Sequence, residues 1–278
     1  MSNLTVRVLV AVVGIPLILA ACYLGGPYFF LFTTALIVLS ANEFYSLAKG
    51  KNIEPSAVLG ITSAGVLNAI VYSTGLAPAI DFLVLVLMVA MLSELAKKRT
   101  EGVAGTFANI GTTFTGIIYI GLFGSMLTAV RQRVGIEKLF PIDRDAGLFI
   151  AAVLVTIWIC DSAAYFAGSA MGKHKMSKFV SPNKTWEGAI AGFIFAVAAA
   201  AAARYLILPT LSLRAAIGMG VIVGTFGQAG DLVESLFKRD AGAKDSSSFI
   251  PGHGGVFDRF DSLIFSAPLI YLLLKYVR

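Results

Sequence analysis

Apolar residues run through this chain in long blocks, and polar residues are confined to the gaps between them. A bilayer core of about 30 Å needs about 20 residues of apolar helix to cross it. Nine blocks meet or approach that length, at residues 8–25, 27–47, 56–77, 80–96, 105–130, 147–169, 187–208, 214–234 and 262–277. The fourth and the last are short. No block alternates with the period of a barrel strand, and an open sheet cannot satisfy its edges in lipid. The expected class is therefore all-α: a polytopic integral membrane protein of about nine transmembrane helices, forming one membrane domain over residues 1–278.

Composition sharpens this picture. The chain is 57% hydrophobic and 14% charged, against about 25% charged for ordinary soluble domains. Cys22 and Cys160 fall in separate apolar blocks and match neither a disulfide framework nor a zinc site. Two histidines are too few for a His-rich metal centre. If the N-terminus is inside, the cytoplasmic segments carry 14 of the 22 basic residues, from Arg7 through the Lys97–Arg99 run to Arg259. The positive-inside rule then favours N-in and C-out. It places the two richest polar loops, 170–186 and 235–261, together on the cytoplasmic side. Leu19-Ala20-Ala21-Cys22 has the form of a lipoprotein signal-peptidase site; we read it as a chance match inside the first membrane helix. The small-residue run from Gly192 to Ala203 reads as close helix packing.

Chemistry concentrates in three places. Asp161 interrupts an apolar helix, and a carboxylate at that depth by default faces a functional cavity. The Gly168–Lys173 run is too short for a P-loop and no Ser or Thr follows its lysine. The basic loop from Lys173 to Gly188 turns at Ser181-Pro182-Asn183. Thr185 or Asn183 can cap the helix that follows, which leaves Lys184 just before a helix N-terminus, where anions bind. The third place is the polar island from Ser235 to Asp261, with Asp231, Glu234 and Lys238 just before and within it on one helical face. Asp258 and Asp261 repeat the three-residue spacing at the start of the last helix. Hard oxygen donors without soft ones favour magnesium over zinc. Glu43 is read as an interfacial helix-end charge.

At these residues the chain resembles the phosphatidate cytidylyltransferases, or CDP-diacylglycerol synthases. The pattern is met from Ser235 through Lys238, Arg239, Lys244, Asp245, Pro251, His253, Gly254, Gly255, Asp258 and Arg259 to Asp261. The segments Gly230–Ser235, Ser181–Gly188 and Asp161–Tyr165 also look like that family, so the resemblance covers roughly residues 147–261. The Ser246-Ser247-Ser248 spacer is permitted by the pattern.

The resemblance implies that CTP and phosphatidic acid give CDP-diacylglycerol and pyrophosphate with Mg²⁺. It further implies a second, monovalent cation such as K⁺, a homodimer, and membrane lipid rather than nucleic acid as surroundings. Residues 147–278 are then expected to carry the chemistry, and residues 1–146 the packing, lipid-facing and dimer surfaces. By position, Asp231, Asp258, Asp261 and Asp161 are expected metal ligands. Lys238, Arg239, Lys244, Asp245, His253 and Arg259 form the expected catalytic set. Lys184, Ser181, Asn183, Gly254, Gly255 and Tyr165 are expected to bind substrate, the two glycines by bringing backbone N–H groups to phosphate oxygens. The Asp-Gly-x-x-Ala-Arg opening of the CDP-alcohol phosphotransferases is absent. A polyprenol or lipid kinase of related architecture is the alternative enzyme. A secondary transporter is disfavoured because the charges lie in loops rather than at the midplane.

Overall fold

The computed structural model describes residues 3–97, 103–132 and 143–277. Of the basic residues that set the expected orientation, Lys98, Arg99, Arg133, Lys138 and Arg278 lie outside the described residues. Within them the apolar blocks form nine helical rods: α1 (Thr5–Leu24, with helix from Asn3), α2 (Gly26–Lys49), α3 (Ala57–Thr74), α4 (Ala77–Leu95), α5 (Thr106–Arg131), α6 (Asp143–Met171), α7 (Trp186–Leu206), α8 (Leu213–Asp240) and α9 (Phe257–Tyr276). The rods α5 and α8 each contain one π-helical stretch, Ile117–Leu122 and Val223–Gly227.

Rods α1 to α8 are long and apolar enough to cross a membrane, and the chain is a multi-pass membrane protein. Helix α9 misses that standard because Asp258, Arg259 and Asp261 occupy its first turns. Exposing those charges to hydrocarbon would cost several kcal/mol, about 2.5–3.5 for each at the centre of a span. Asp261 is buried and Asp258 half-buried, while Arg259 is exposed beside the cavity described below. Helix α9 packs against α2, α5, α6 and α8, and its buried residues, among them Phe257, Leu263, Ile264 and Ile270, lie on more than one flank.

One amendment to the all-helical expectation concerns the basic loop. Lys175–Ser177 (β1) and Ser181–Thr185 (β2) form a small antiparallel hairpin, with Lys175 opposite Thr185 and Ser177 opposite Ser181. The turn falls at residues 178–180, not at Ser181-Pro182-Asn183. Proline disfavours helix at the residue before it, and a two-stranded edge tolerates its missing donor. Of the two candidate caps, Thr185 serves: its Oγ1 accepts from Gly188 N at 3.2 Å.

Polar contacts divide the two ends of the bundle. At one end Arg7 Nε donates to Gly252 O at 2.7 Å and Lys51 stands 3.4 Å from Asp240. The start of α1, the α2–α3 link and the loop between α8 and α9 therefore share that end. At the other end Arg131 is 1% exposed. It donates to the carbonyls of Cys22 (2.8 Å) and Tyr23 (3.1 Å), closing the C-terminus of α1, and to both carboxylate oxygens of Asp143. Cys22 is thus buried at a helix end. Between the two ends Asn68 donates to Thr33 and Thr34 and accepts from Thr128. Such interhelical bonds in lipid are worth about 0.6 kcal/mol each. The small-residue run behaves as expected, with Gly192, Ala196 and Ala200 buried in α7.

Candidate active site

The hairpin, α6, α8 and α9 enclose a cavity of about 840 Å³, large enough for a nucleotide by the usual size of ligand pockets. Each wall has a sequence reason. Asp161 and Tyr165 come from the polar interruption in α6. Asn183 and Lys184 come from β2, which is anchored to α7 where Trp186 N donates to His174 O at 2.9 Å and the Glu187 carboxylate accepts from the His174 ring at 2.6 Å. Asp231, Glu234 and Lys238 follow the π-helical stretch of α8, whose Gly224 carbonyl accepts from Gln228 Nε2. Asp258, Arg259 and Asp261 come from the first turns of α9, and Asp245 from the loop before it.

Beneath this wall an aromatic layer fixes the rods. Phe44 of α2 meets Phe237 of α8 and Phe257 of α9 edge-on, with ring centres 5.2 and 6.3 Å apart. Tyr119 of α5 meets Phe257 and Phe265, each at 5.8 Å. Edge-to-face pairs of this kind add about 0.5–1.5 kcal/mol beyond burial.

The lining holds six carboxylates (Asp161, Asp231, Glu234, Asp245, Asp258 and Asp261) and four cations (Lys175, Lys184, Lys238 and Arg259). The carboxylates fall into two kinds. Asp231, Glu234 and Asp261 bring one oxygen each to within 4.8 Å of one another. Lys184 Nζ lies 2.6 Å from Asp231, and Ser262 N donates to Asp261 at 2.6 Å. Glu234 is 1% exposed. Lys238 Nζ stands 2.7 Å from its Oε2, yet neither Glu234 oxygen receives a directed hydrogen bond.

Asp258 is the opposite case. Its Oδ1 accepts from Lys238 Nζ at 2.7 Å, and its Oδ2 accepts from Gly255 N (2.7 Å), Ser246 N (2.9 Å) and Ser246 Oγ (2.9 Å). It lines the cavity but stands outside the group of three. A buried carboxylate lacking donors is costly. Asp231, Glu234 and Asp261, with Glu234 the most deeply buried, sit in a lining of net negative charge and could together hold a hard divalent cation.

Of the residues expected to act, Asp161, Tyr165, Asn183, Lys184, Asp231, Lys238, Asp245, Asp258, Arg259 and Asp261 meet at the cavity. The others lie around it. Ser181 begins β2. Arg239 donates to the carbonyls of Val180 and Ala243, tying the hairpin turn to the loop after α8. Lys244 is exposed. His253 donates its backbone N–H to Ile250 O within the loop. The two glycines are closely surrounded. Gly254 has φ +87°, and a Cβ there would lie 2.8 Å from Asp258 Oδ2; a Cβ on Gly255 would overlap Ser246 Oγ and Glu43 Oε2. The Gly255 N–H is taken by Asp258 rather than turned to the cavity.

Two acids carry more than the sequence reading gave them. Glu234, on the same helical face as Asp231 and Lys238, stands with Asp231 and Asp261 although it is not among the four expected metal ligands. Glu43 is no interfacial charge: it is 4% exposed, accepts from Ser247 Oγ, Val256 N and Phe257 N, and shares the Ser246 hydroxyl with Asp258. The usable signal was its place as the single charge in the 27–47 apolar block, the signal that singled out Asp161.

A family model described as "Cytidylyltransferase family" matches residues 5–277. A phosphatidate cytidylyltransferase of Staphylococcus aureus (strain COL) is 31% identical over 276 residues, covering 97% of this chain and 98% of the relative. That of Staphylococcus haemolyticus has the same identity and coverage. One from Synechocystis is 33% identical over 287 residues, covering 96% and 95%. With a model match that includes every wall of the cavity and relatives aligned over nearly their whole length, the chain belongs to the cytidylyltransferase family.

Proposed function

We propose that this protein transfers a cytidylyl group from CTP to phosphatidic acid, giving CDP-diacylglycerol and pyrophosphate. The observation that carries the reading is the cavity itself: three clustered carboxylates, one of them almost fully buried, face Lys184, Lys238 and Arg259 in a chain of this family. A phosphate oxygen of the lipid attacks the α-phosphorus of CTP. The new P–O bond forms as the bond to the β-phosphate oxygen breaks, and that oxygen leaves with the electron pair on pyrophosphate. A phosphate monoester with a second pKa of about 6 is mostly dianionic at neutral pH, so no side chain has to remove a proton. The work left to the protein is orientation and charge neutralisation.

Asp231, Glu234 and Asp261 would hold Mg²⁺, which supplies charge neutralisation at the phosphates when bound. Asp161 deepens the acidic wall. Lys184, Lys238 and Arg259 meet phosphate oxygens, and Asn183 and Tyr165 border the space for substrate. Asp258 holds Lys238 rather than the metal. Arg239, Lys244 and His253 act from outside the cavity. A monovalent cation such as K⁺ beside the magnesium, and a homodimer formed through the N-terminal rods, rest on the resemblance alone.

The lipid would arrive from the side. An apolar groove of about 320 Å³ between α7 and α8 shares Met176, Ala189 and Gln228 with the polar cavity. Trp186, half exposed at the start of α7, suits a membrane interface. The charge bias supports placing this end of the bundle at the cytoplasmic face, with the chain N-in and C-out. Purified protein in phosphatidate vesicles, given α-labelled CTP and Mg²⁺, should yield labelled chloroform-soluble lipid and an equal amount of pyrophosphate. Release of CDP with phosphorylation of a lipid alcohol would replace this reading with a kinase.

A further inference from the structure

Glu43 lies on α2, outside the cavity, and nothing in the reaction as derived so far uses it. Its two oxygens are nevertheless fully engaged. Oε1 accepts from Ser247 Oγ (2.6 Å) and Val256 N (3.0 Å); Oε2 accepts from Ser246 Oγ (2.8 Å) and Phe257 N (2.8 Å). Val256 and Phe257 carry the first free N–H groups of α9, which no side chain of the local sequence caps. Glu43 therefore caps α9 from another helix, doing for it what a local Asp or Ser does elsewhere. Ser246 continues the chain: its hydroxyl touches both Glu43 and Asp258 Oδ2. Asp258 Oδ1 in turn holds Lys238, which stands against Glu234.

We infer that Glu43 is a positioning residue for cytidylyl transfer, fixing the start of α9 and, through Ser246 and Asp258, the place of Lys238 beside Glu234. The inference rests on the cavity being the reaction site. Glu43→Gln keeps the shape but puts an amide NH₂ against a backbone N–H or a serine hydroxyl that needs an acceptor. Purified Glu43→Gln should lose at least about tenfold in kcat, with KM for CTP within about twofold, because Glu43 touches no cavity atom. Ser246→Ala should lose about three- to tenfold. The double variant should be no slower than Glu43→Gln, since residues acting through one chain are non-additive.

A purely structural Glu43 would lower thermal stability and yield while leaving kcat per folded molecule at the wild-type value; that outcome overturns the inference, as does multiplication of the two losses. Should Glu43→Gln not fold, Ser246→Ala decides alone: wild-type kcat refutes the relay, and a loss of threefold or more with unchanged KM supports it. Asp231→Asn serves as control. If it too retains wild-type turnover, the cavity assignment has failed; if it is inactive while Glu43→Gln is not, only the role of Glu43 has.

Discussion

Two sets of acids stand side by side at the same end of the bundle and are held in opposite ways. Asp258 and Glu43 are well supplied with donors: Asp258 accepts from Lys238, Gly255 N and Ser246 N, Glu43 from Ser247, Val256 N and Phe257 N, and the two share the single Ser246 hydroxyl proton. Asp231, Glu234 and Asp261 converge with far fewer donors, and both oxygens of Glu234 have none well directed. Saturation marks a carboxylate that organises the protein, because its charge is already offset by donors that folding had to position. Convergence with few donors is the arrangement expected of carboxylates whose partner comes from solution. Asp231 and Glu234 have the same three-residue spacing as Asp258 and Asp261, yet Asp258 falls in one set and the other three in the other, so spacing cannot separate the roles.

The largest effect that would test this division is on turnover. Glu234→Gln should lower the rate of CDP-diacylglycerol formation by about 10²–10³-fold, the usual cost of losing one electrostatic contact in a reaction centre. Its unfolding midpoint should fall less than that of Asp258→Asn, since Glu234 gives up one close partner, Lys238 at 2.7 Å, whereas Asp258 shares that cation and also accepts from Gly255 and Ser246. Magnesium should raise the wild-type midpoint through binding linkage, by about 2.7 kcal/mol at a hundred times Kd, and should not raise that of Glu234→Gln.

Asp258→Asn should show the reverse balance. Breaking a buried ion pair costs about 3–5 kcal/mol, so its unfolding midpoint should drop while the magnesium-induced shift persists. If Asp258→Asn kept wild-type stability and lost the magnesium shift, the two sets would have to exchange roles. The smallest effect belongs to Lys244→Ala. Exposed and off the cavity wall, it should change turnover by less than about twofold and stability by under about 0.5 kcal/mol.

Most of the fold could be read from the apolar blocks, because lipid permits few ways of satisfying a backbone. The hairpin could not: Lys175–Thr185 is polar, short and without alternation, and its pairing is settled by the caps and contacts around His174, Glu187 and Thr185. The site was legible as a neighbourhood, with Asp161, Lys184, Asp231, Lys238 and Arg259 meeting where polar islands in apolar sequence placed them. What stayed hidden was which acid is already occupied. Asp258 is filled by Ser246 and Gly255, and Glu43 reaches Ser246 and Ser247 across some two hundred residues of chain. The serine spacer, which the family pattern merely permits, supplies the joint between the two. Pairings at that separation follow from packing, which local pattern does not encode.

The burial of α9 bears on how the chain is made. Its first turns carry Asp258, Arg259 and Asp261, and the apolar remainder is shorter than a bilayer is thick, so it is a poor substrate for insertion on its own. It follows α1 to α8 out of the ribosome, and the surfaces that sheathe it belong to α2, α5, α6 and α8. Biogenesis should therefore finish with a helix admitted by companions already in the membrane.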